Sequence, residues 1–288
     1  MPIAVLAAWL AAPAGAETGV IDDHALFPEG PVMAGSTLVY AQYAGNEVTA
    51  WDGKARRTLW RQEGCGPSAV IPFGADWLVT CYDSGTLAVI SQAGETLRVI
   101  DADAGGGALQ GPNDGAPDGR GGAYVSLSGP WEAGPIVGRI VHVTPDGVAR
   151  PVADDLHYAN GVAFGPDGRL YVNESEAGRV ISFAVGADGG LEDRRLFIRL
   201  YRMGEDAGAY PDGIKLGPNG NFFVGQYSSG RILEVAPDGT LVRVHDTGAT
   251  AAPNLTFAPD GRVMYVMAVD NTAGAPYEGR VLAVPLGD

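Results

Sequence analysis

Six polar residues recur along this chain at intervals of roughly 40–50 residues: Glu29, Ser68, Asn113, Asn160, Asp212 and Asn254. Each stands at the entry to a short apolar run. If those runs are strands arranged about a common axis, the six side chains converge at one end of it. Two carboxylates and several amide oxygens would then face one another, repelling and poorly solvated. A hard cation resolves that conflict, because Ca²⁺ takes roughly 6–8 oxygen ligands and accepts carboxylates, amide oxygens and water alike. The set offers neither thiolate nor imidazole, which disfavours copper and leaves Ca²⁺ as the favoured ion, with Zn²⁺, Mn²⁺ or Mg²⁺ as substitutes. Taken singly, an Asn or Asp at a strand start is an ordinary turn former that bonds its own backbone. Recurrence at equivalent positions in different repeats argues for a shared role.

The elements that must position these residues repeat with them. Asn160-Gly161-Val162-Ala163-Phe164 leads into Gly165-Pro166-Asp167-Gly168 and then Leu170-Tyr171-Val172. Pro166 presets φ for a turn and Gly168 can take positive φ, so the segment predicts a tight hairpin. Further copies begin at Asp212, Asn254 and Asn113, and weaker ones at Ser68 and Glu29. Short strands at this period predict an all-β fold, a six-bladed β-propeller with four strands per blade. The sixth unit holds only three strand-like runs before Asp288, so a strand from residues 19–27 is expected to close the last blade. Residues 17–288 then form a single propeller domain.

Composition narrows the function. Thirty-four acidic against 19 basic residues give a net charge of −15, which repels nucleic acid and anionic membrane surfaces. Classical His/Cys zinc spacing, the Gly-x-Ser-x-Gly elbow and the Walker loop are all missing from the sequence. Residues 1–16 are apolar, too short to span a bilayer, and end in Ala14-Gly15-Ala16; they read as a signal peptide, so a periplasmic or secreted protein without membrane insertion is expected. Pairing Pro72 with Trp77 would set Cys81 opposite Ser68 and Cys65 just beyond the ladder, which leaves a disulfide and two buried thiols as equal alternatives. Longer inserts carry Trp131, Tyr201, Met203 and Tyr210 towards the mouth of the axis.

Glu29-Gly30-Pro31, Pro112-Asn113-Asp114-Gly115, Asn160-Gly161-Val162-Ala163-Phe164 and Pro211-Asp212-Gly213, in this order and spacing, resemble the motifs of the senescence-marker-protein/gluconolactonase family of metal-dependent lactonases, also called regucalcin-like. Tyr171-Val172-Asn173-Glu174-Ser175 followed by Gly178-Arg179-Val180 is similar to its drug-responsive lactonase branch. The resemblance implies a six-bladed propeller with one divalent metal in its channel, held by Glu29, Asn160 and Asp212, and Asn113 binding metal or substrate. It implies Asp212 as the catalytic residue that positions or deprotonates water, with Asp114 as a second catalytic candidate. Gly111 stands where some members carry an Arg that holds a sugar lactone. The expected partner is a small lactone or ester, opened by a monomeric enzyme whose metal polarises the carbonyl. Two alternatives stand beside this: phosphotriester cleavage, as in the similar diisopropylfluorophosphatase, and a non-catalytic exported propeller that keeps calcium for stability and binds a ligand or protein.

Overall fold

Pro166-Asp167-Gly168 forms the turn its composition calls for. Gly168 takes φ 76°, its N–H donates to the Gly165 carbonyl at 3.0 Å, and Asp167 Oδ1 accepts from the Arg169 N–H at 3.1 Å. Turns of this kind punctuate an all-β chain. The computed structural model describes residues 18–132, 134–203 and 210–287. The expected signal segment, residues 1–16, lies outside them. Among the described residues the only helical segments are two short 3₁₀ turns, and no helix is long and apolar enough to cross a membrane.

After β1 (Gly19–Leu26) the strands fall into antiparallel sheets in chain order. The first contains β2 (Pro28–Ala34), β3 (Thr37–Gln42), β4 (Glu47–Trp51) and β5 (Arg56–Arg61). The second contains β6 (Pro67–Phe73), β7 (Asp76–Cys81), β8 (Thr86–Ile90) and β9 (Thr96–Ile100). The third has β10 (Pro112–Pro117), β11 (Ala123–Leu127), β12 (Gly138–Val143) and β13 (Ala149–Leu156). The fourth has β14 (Ala159–Phe164), β15 (Leu170–Glu174), β16 (Arg179–Val185) and β17 (Leu191–Arg199). The remaining strands are β18 (Pro211–Leu216), β19 (Phe222–Gln226), β20 (Arg231–Val235), β21 (Leu241–Asp246), β22 (Ala251–Phe257), β23 (Val263–Val269) and β24 (Glu278–Pro285). They join in one eight-stranded sheet through a single bridge, Gln226 to Ala252, and β1 completes it by pairing antiparallel with β24.

Apolar clusters lie between one sheet and the next. Leu78 and Leu87 of the second sheet pack with Val125 and Val141 of the third, and Phe183 of the fourth with Tyr124 of the third. Leu38 and Tyr40 of the first sheet pack with Met267 and Val281, from the other end of the chain. Each fully buried large side chain of this kind contributes about 1.5–3 kcal/mol. Fourth strands such as β9 and β21 are mostly exposed and carry charge at Arg98 and Arg243, which discourages edge-to-edge pairing. First strands are buried and touch one another: β2 with β6, β6 with β10, β10 with β14, β14 with β18, β18 with β22, and β22 with β2.

One register differs from expectation. Pro72 does pair with Trp77, but Cys81 lies opposite Pro67 rather than Ser68, because the ladder shifts between Pro67 and Ala69. Ser68 is the residue squeezed out of register. The shift draws the cysteines together, and Cys65 and Cys81 form a disulfide with their Cα atoms 4.6 Å apart.

Candidate active site

The slip at Ser68 belongs to a series. Every first strand loses register with its second strand near its start: between Glu29 and Val32, Pro112 and Gly115, Ala159 and Val162, Pro211 and Ile214, and Ala251 and Asn254. Such irregularities unpair a residue, bend the strand and re-aim a side chain. Asn113, Asp114, Asn160 and Asp212 fall inside them, with Glu29 and Asn254 at their margins. Local irregularity thus turns the repeated polar residues off the sheet ladder.

Glycine completes the arrangement. A methyl group on Gly161 would overlap the carbonyl oxygen of Asp212, and one on Gly213 would overlap the Asn254 amide. Each glycine admits the polar residue of the next first strand. Gly161→Ala is therefore expected to cost about 1–3 kcal/mol through overpacking, read as a lower midpoint in urea unfolding, while the reverse substitution restores it.

Glu29, Ser68, Asn113, Asn160 and Asp212 line one cavity of about 280 Å³. Glu29 and Asp212 are each only 5% exposed. Burial pushes the Glu29 carboxyl well up, and the nearby Asp212 and Asp114 charges push it further; the Gly30 N–H and the Asn254 amide pull the other way. The Asp212 carboxyl is pushed up to about 8 by burial and by Asp114, against a hydrogen bond from Asn160. The Gly30 N–H donates to Glu29 Oε2 at 2.7 Å, and Asn254 Nδ2 donates to the same oxygen at 3.1 Å. Asn113 is tethered through Nδ2 to Ser128 Oγ at 3.0 Å. Asn173 Nδ2 donates to the Asp212 carbonyl at 2.5 Å, fixing the backbone beneath the carboxyl.

Asp114, the second catalytic candidate, is placed differently. It is 1% exposed and does not line the cavity. Lys215 Nζ donates to its Oδ2 at 3.3 Å, the Gly115 N–H to its Oδ1 at 2.7 Å, and Asn254 Nδ2 to its Oδ2 at 3.3 Å. A chain of polar contacts therefore runs from Lys215 through Asp114 and Asn254 to Glu29. Sequence reasoning missed Lys215. Its signal was available: it is the one basic residue in any first strand, at a position where equivalent strands carry Ala163 and Thr256.

Asn160 Oδ1 is buried with no hydrogen-bond partner, a loss of roughly 1–3 kcal/mol for an unsatisfied group. An orphaned amide oxygen beside two buried carboxylates is a donor set suited to a hard divalent cation. Among the described residues no three His, Cys, Asp or Glu side chains form a metal cage by themselves, so such an ion would draw on the amides as well.

An aromatic belt makes up most of the rest of the cavity: Phe27, Tyr43, Tyr82, Trp131, Tyr158, Tyr227 and Tyr277 line it, together with Ser175 and Thr272. Of the expected mouth residues, Trp131 lines the cavity and Tyr210 packs edge-on against it at 5.0 Å. Tyr201 is exposed and away from the lining, and the side chain of Met203 lies outside the described residues.

Residues 27–270 match the family model described as the SMP-30/Gluconolactonase/LRE-like region. A 6-deoxy-6-sulfogluconolactonase of Pseudomonas putida is 28% identical over 106 residues, 36% of this chain and only 35% of that protein's length. A gluconolactonase from Xanthomonas campestris superposes with a TM-score of 0.75 at 23% identity, covering 94% of this chain and 89% of its own. A calcium-binding regucalcin from Agrobacterium tumefaciens gives 0.76 at 19% identity, covering 92% of each chain. At such identities the two structures speak for the fold.

Proposed function

We propose that this chain, which belongs to the SMP-30/gluconolactonase/LRE-like family, is a divalent-metal-dependent hydrolase that opens cyclic esters. One observation carries the reading. Two buried carboxylates, Glu29 and Asp212, both pushed up by burial and by the Asp114 charge, meet an orphaned amide oxygen, Asn160 Oδ1, in an aromatic-walled cavity. We take the sheets as six blades around an axis, with β1 closing the last. The circuit of contacts among first strands and the β1–β24 pairing support that arrangement.

Glu29, Asn160 and Asp212, with Asn113 beside them, would hold the ion, Ca²⁺ being favoured by the all-oxygen set. Bound there, it supplies an electrophilic centre for the lactone carbonyl oxygen. Asn113, tethered to Ser128, orients the substrate. Asp212 orients the attacking water and takes its proton. Asp114, paired with Lys215 and away from the cavity, positions Asn254 and through it Glu29. The aromatic walls limit competing water. The Cys65–Cys81 disulfide supports export to an oxidising compartment, periplasmic or extracellular.

A metal-stripped preparation tests the reading. Turnover of a lactone panel should vanish and return with added Ca²⁺, Mn²⁺, Zn²⁺ or Mg²⁺. Loss of thermal stability on stripping, with no turnover of any lactone under any metal, would instead identify a binding module that uses its ion structurally.

A further inference from the structure

Lys215 is aimed at a carboxylate outside the cavity. Its Nζ donates to both oxygens of Asp114, at 3.4 Å to Oδ1 and 3.3 Å to Oδ2. The two side chains are 22% and 2% exposed, so salt and water screen the pair weakly. Lys215 lies on β18 and Asp114 on β10, and β14 packs against both of those strands. The ion pair therefore links first strands that are not neighbours in the circuit.

Asp114 is close enough to the cavity for its charge to act on both Glu29 and Asp212. Its backbone is pinned, because the Asp114 N–H donates to Ser126 Oγ at 3.0 Å. Its carboxyl is held by the Gly115 N–H, by Lys215 and by Asn254. Asn254 Nδ2 is shared between Asp114 Oδ2 at 3.3 Å and Glu29 Oε2 at 3.1 Å. The other end of that amide is fixed, since Asn254 Oδ1 accepts from the Leu255 N–H at 2.9 Å. One side-chain amide thus bridges Asp114 and Glu29. A third carboxylate in this position is a competing ligand for a divalent ion, whose affinity rises with the number of charged ligands. Of the groups that hold it back, the Lys215 ammonium alone carries a positive charge.

We infer that Lys215 is a positioning residue whose ammonium holds Asp114 out of the ion's coordination, so that Glu29 and Asp212 are its only carboxylate ligands. The inference rests on the metal site of the proposed hydrolase for the identity of those ligands. Asp114 and Lys215 cancel one another, and the two remaining carboxylates balance one divalent ion. Without the ammonium, Asp114 is a buried charge lacking its partner, and the bound ion is the cation that can replace it. Ion binding then tightens. A carbonyl oxygen at the same site is polarised less, because a third carboxylate offsets the charge that draws on it. One substitution thus moves affinity and turnover in opposite directions, and both changes need Asp114.

The test is a double-mutant cycle on the full chain: wild type, Lys215→Met, Asp114→Asn and the two together. Each is titrated with Ca²⁺ by calorimetry at pH 9, above the window in which Asp212 releases its proton. Melting in chelator checks that each variant is folded, and Lys215→Gln replaces Lys215→Met if the latter is not. Lys215→Met is expected to bind Ca²⁺ at least about tenfold more tightly than wild type, and at saturating Ca²⁺ to open δ-valerolactone about tenfold more slowly. In the Asp114→Asn background the same substitution changes affinity by less than about twofold, and Lys215→Arg keeps the wild-type affinity. Unchanged or weaker binding in Lys215→Met overturns the inference and leaves the metal site standing. Tightening that persists in the Asp114→Asn background also overturns it, since Lys215 then acts on the ion directly. Absence of Ca²⁺ binding in all four proteins overturns it together with the metal site. The expected affinities without lactone turnover by any variant support the positioning role while defeating the hydrolase reading.

Discussion

Asp212→Asn is expected to lower turnover by at least about 10²–10³-fold, the range seen when one preorganised electrostatic group is removed, while stabilising the protein freed of metal. The opposed signs follow from one arrangement. Without an ion, the Asp212 carboxyl is a burden: it is buried, and it raises the pKa of Glu29. An amide of nearly the same shape removes the charge that burial and Asp114 oppose. With substrate present, the same carboxyl is needed to bind the ion and to take a proton from water. The measurement is a pair: melting temperature in chelator, and kcat/KM at saturating metal. A variant that merely misfolded would lose both. A variant that kept its turnover would remove Asp212 from the mechanism.

The second large effect is on pH. In the metal-free protein the Asp212 carboxyl is held up to about 8 and Glu29 is raised well above its usual range. Between pH ~4 and ~8 the folded protein therefore retains protons that the unfolded chain has released. The sign is fixed by that difference: stability of the metal-free fold falls as pH rises through this window and levels off above it. Metal binding requires the deprotonated carboxylates, so its affinity rises over the same range, approaching about tenfold per pH unit for each proton displaced. The stabilisation added by metal should thus be slight at pH 5 and large at pH 8. Tyr158 and Tyr227, which also face the cavity, are themselves raised above their usual range and do not titrate in this interval. Remote groups such as His245 cancel when melting temperatures with and without metal are subtracted. A metal-induced shift that is the same at both pH values would show that these carboxylates do not hold the ion.

The repeat of Asn160-Gly161, Asp212-Gly213 and their counterparts made the strand starts legible, because turn chemistry and apolar runs are local properties. It also made legible which residues share a site, since equivalent positions in a repeat occupy equivalent places. Register was less legible. Regular pairing would set Cys81 opposite Ser68, whereas the irregularity at Ser68 moves it by one residue and brings it within reach of Cys65. The same kind of irregularity governs Asp114, adjacent to Asn113 in sequence yet turned from the cavity towards Lys215. Alternation sends neighbouring side chains to opposite faces, but a slip of one residue exchanges those faces, so which of Asn113 and Asp114 meets the cavity cannot be read from the sequence. The aromatic belt was hidden for another reason. Tyr43, Tyr82 and Tyr227 follow second strands, outside the polar motif, and their common purpose emerges only when the sheets are set side by side.

The most direct test of the proposed metal site is anomalous X-ray diffraction from crystals of the chain loaded with Mn²⁺. The account predicts one strong anomalous peak in the cavity, bonded to the carboxylates of Glu29 and Asp212 and to the amide oxygen of Asn160. A well-ordered cavity with no such peak, or a peak held by residues elsewhere while lactone turnover continues, would contradict it.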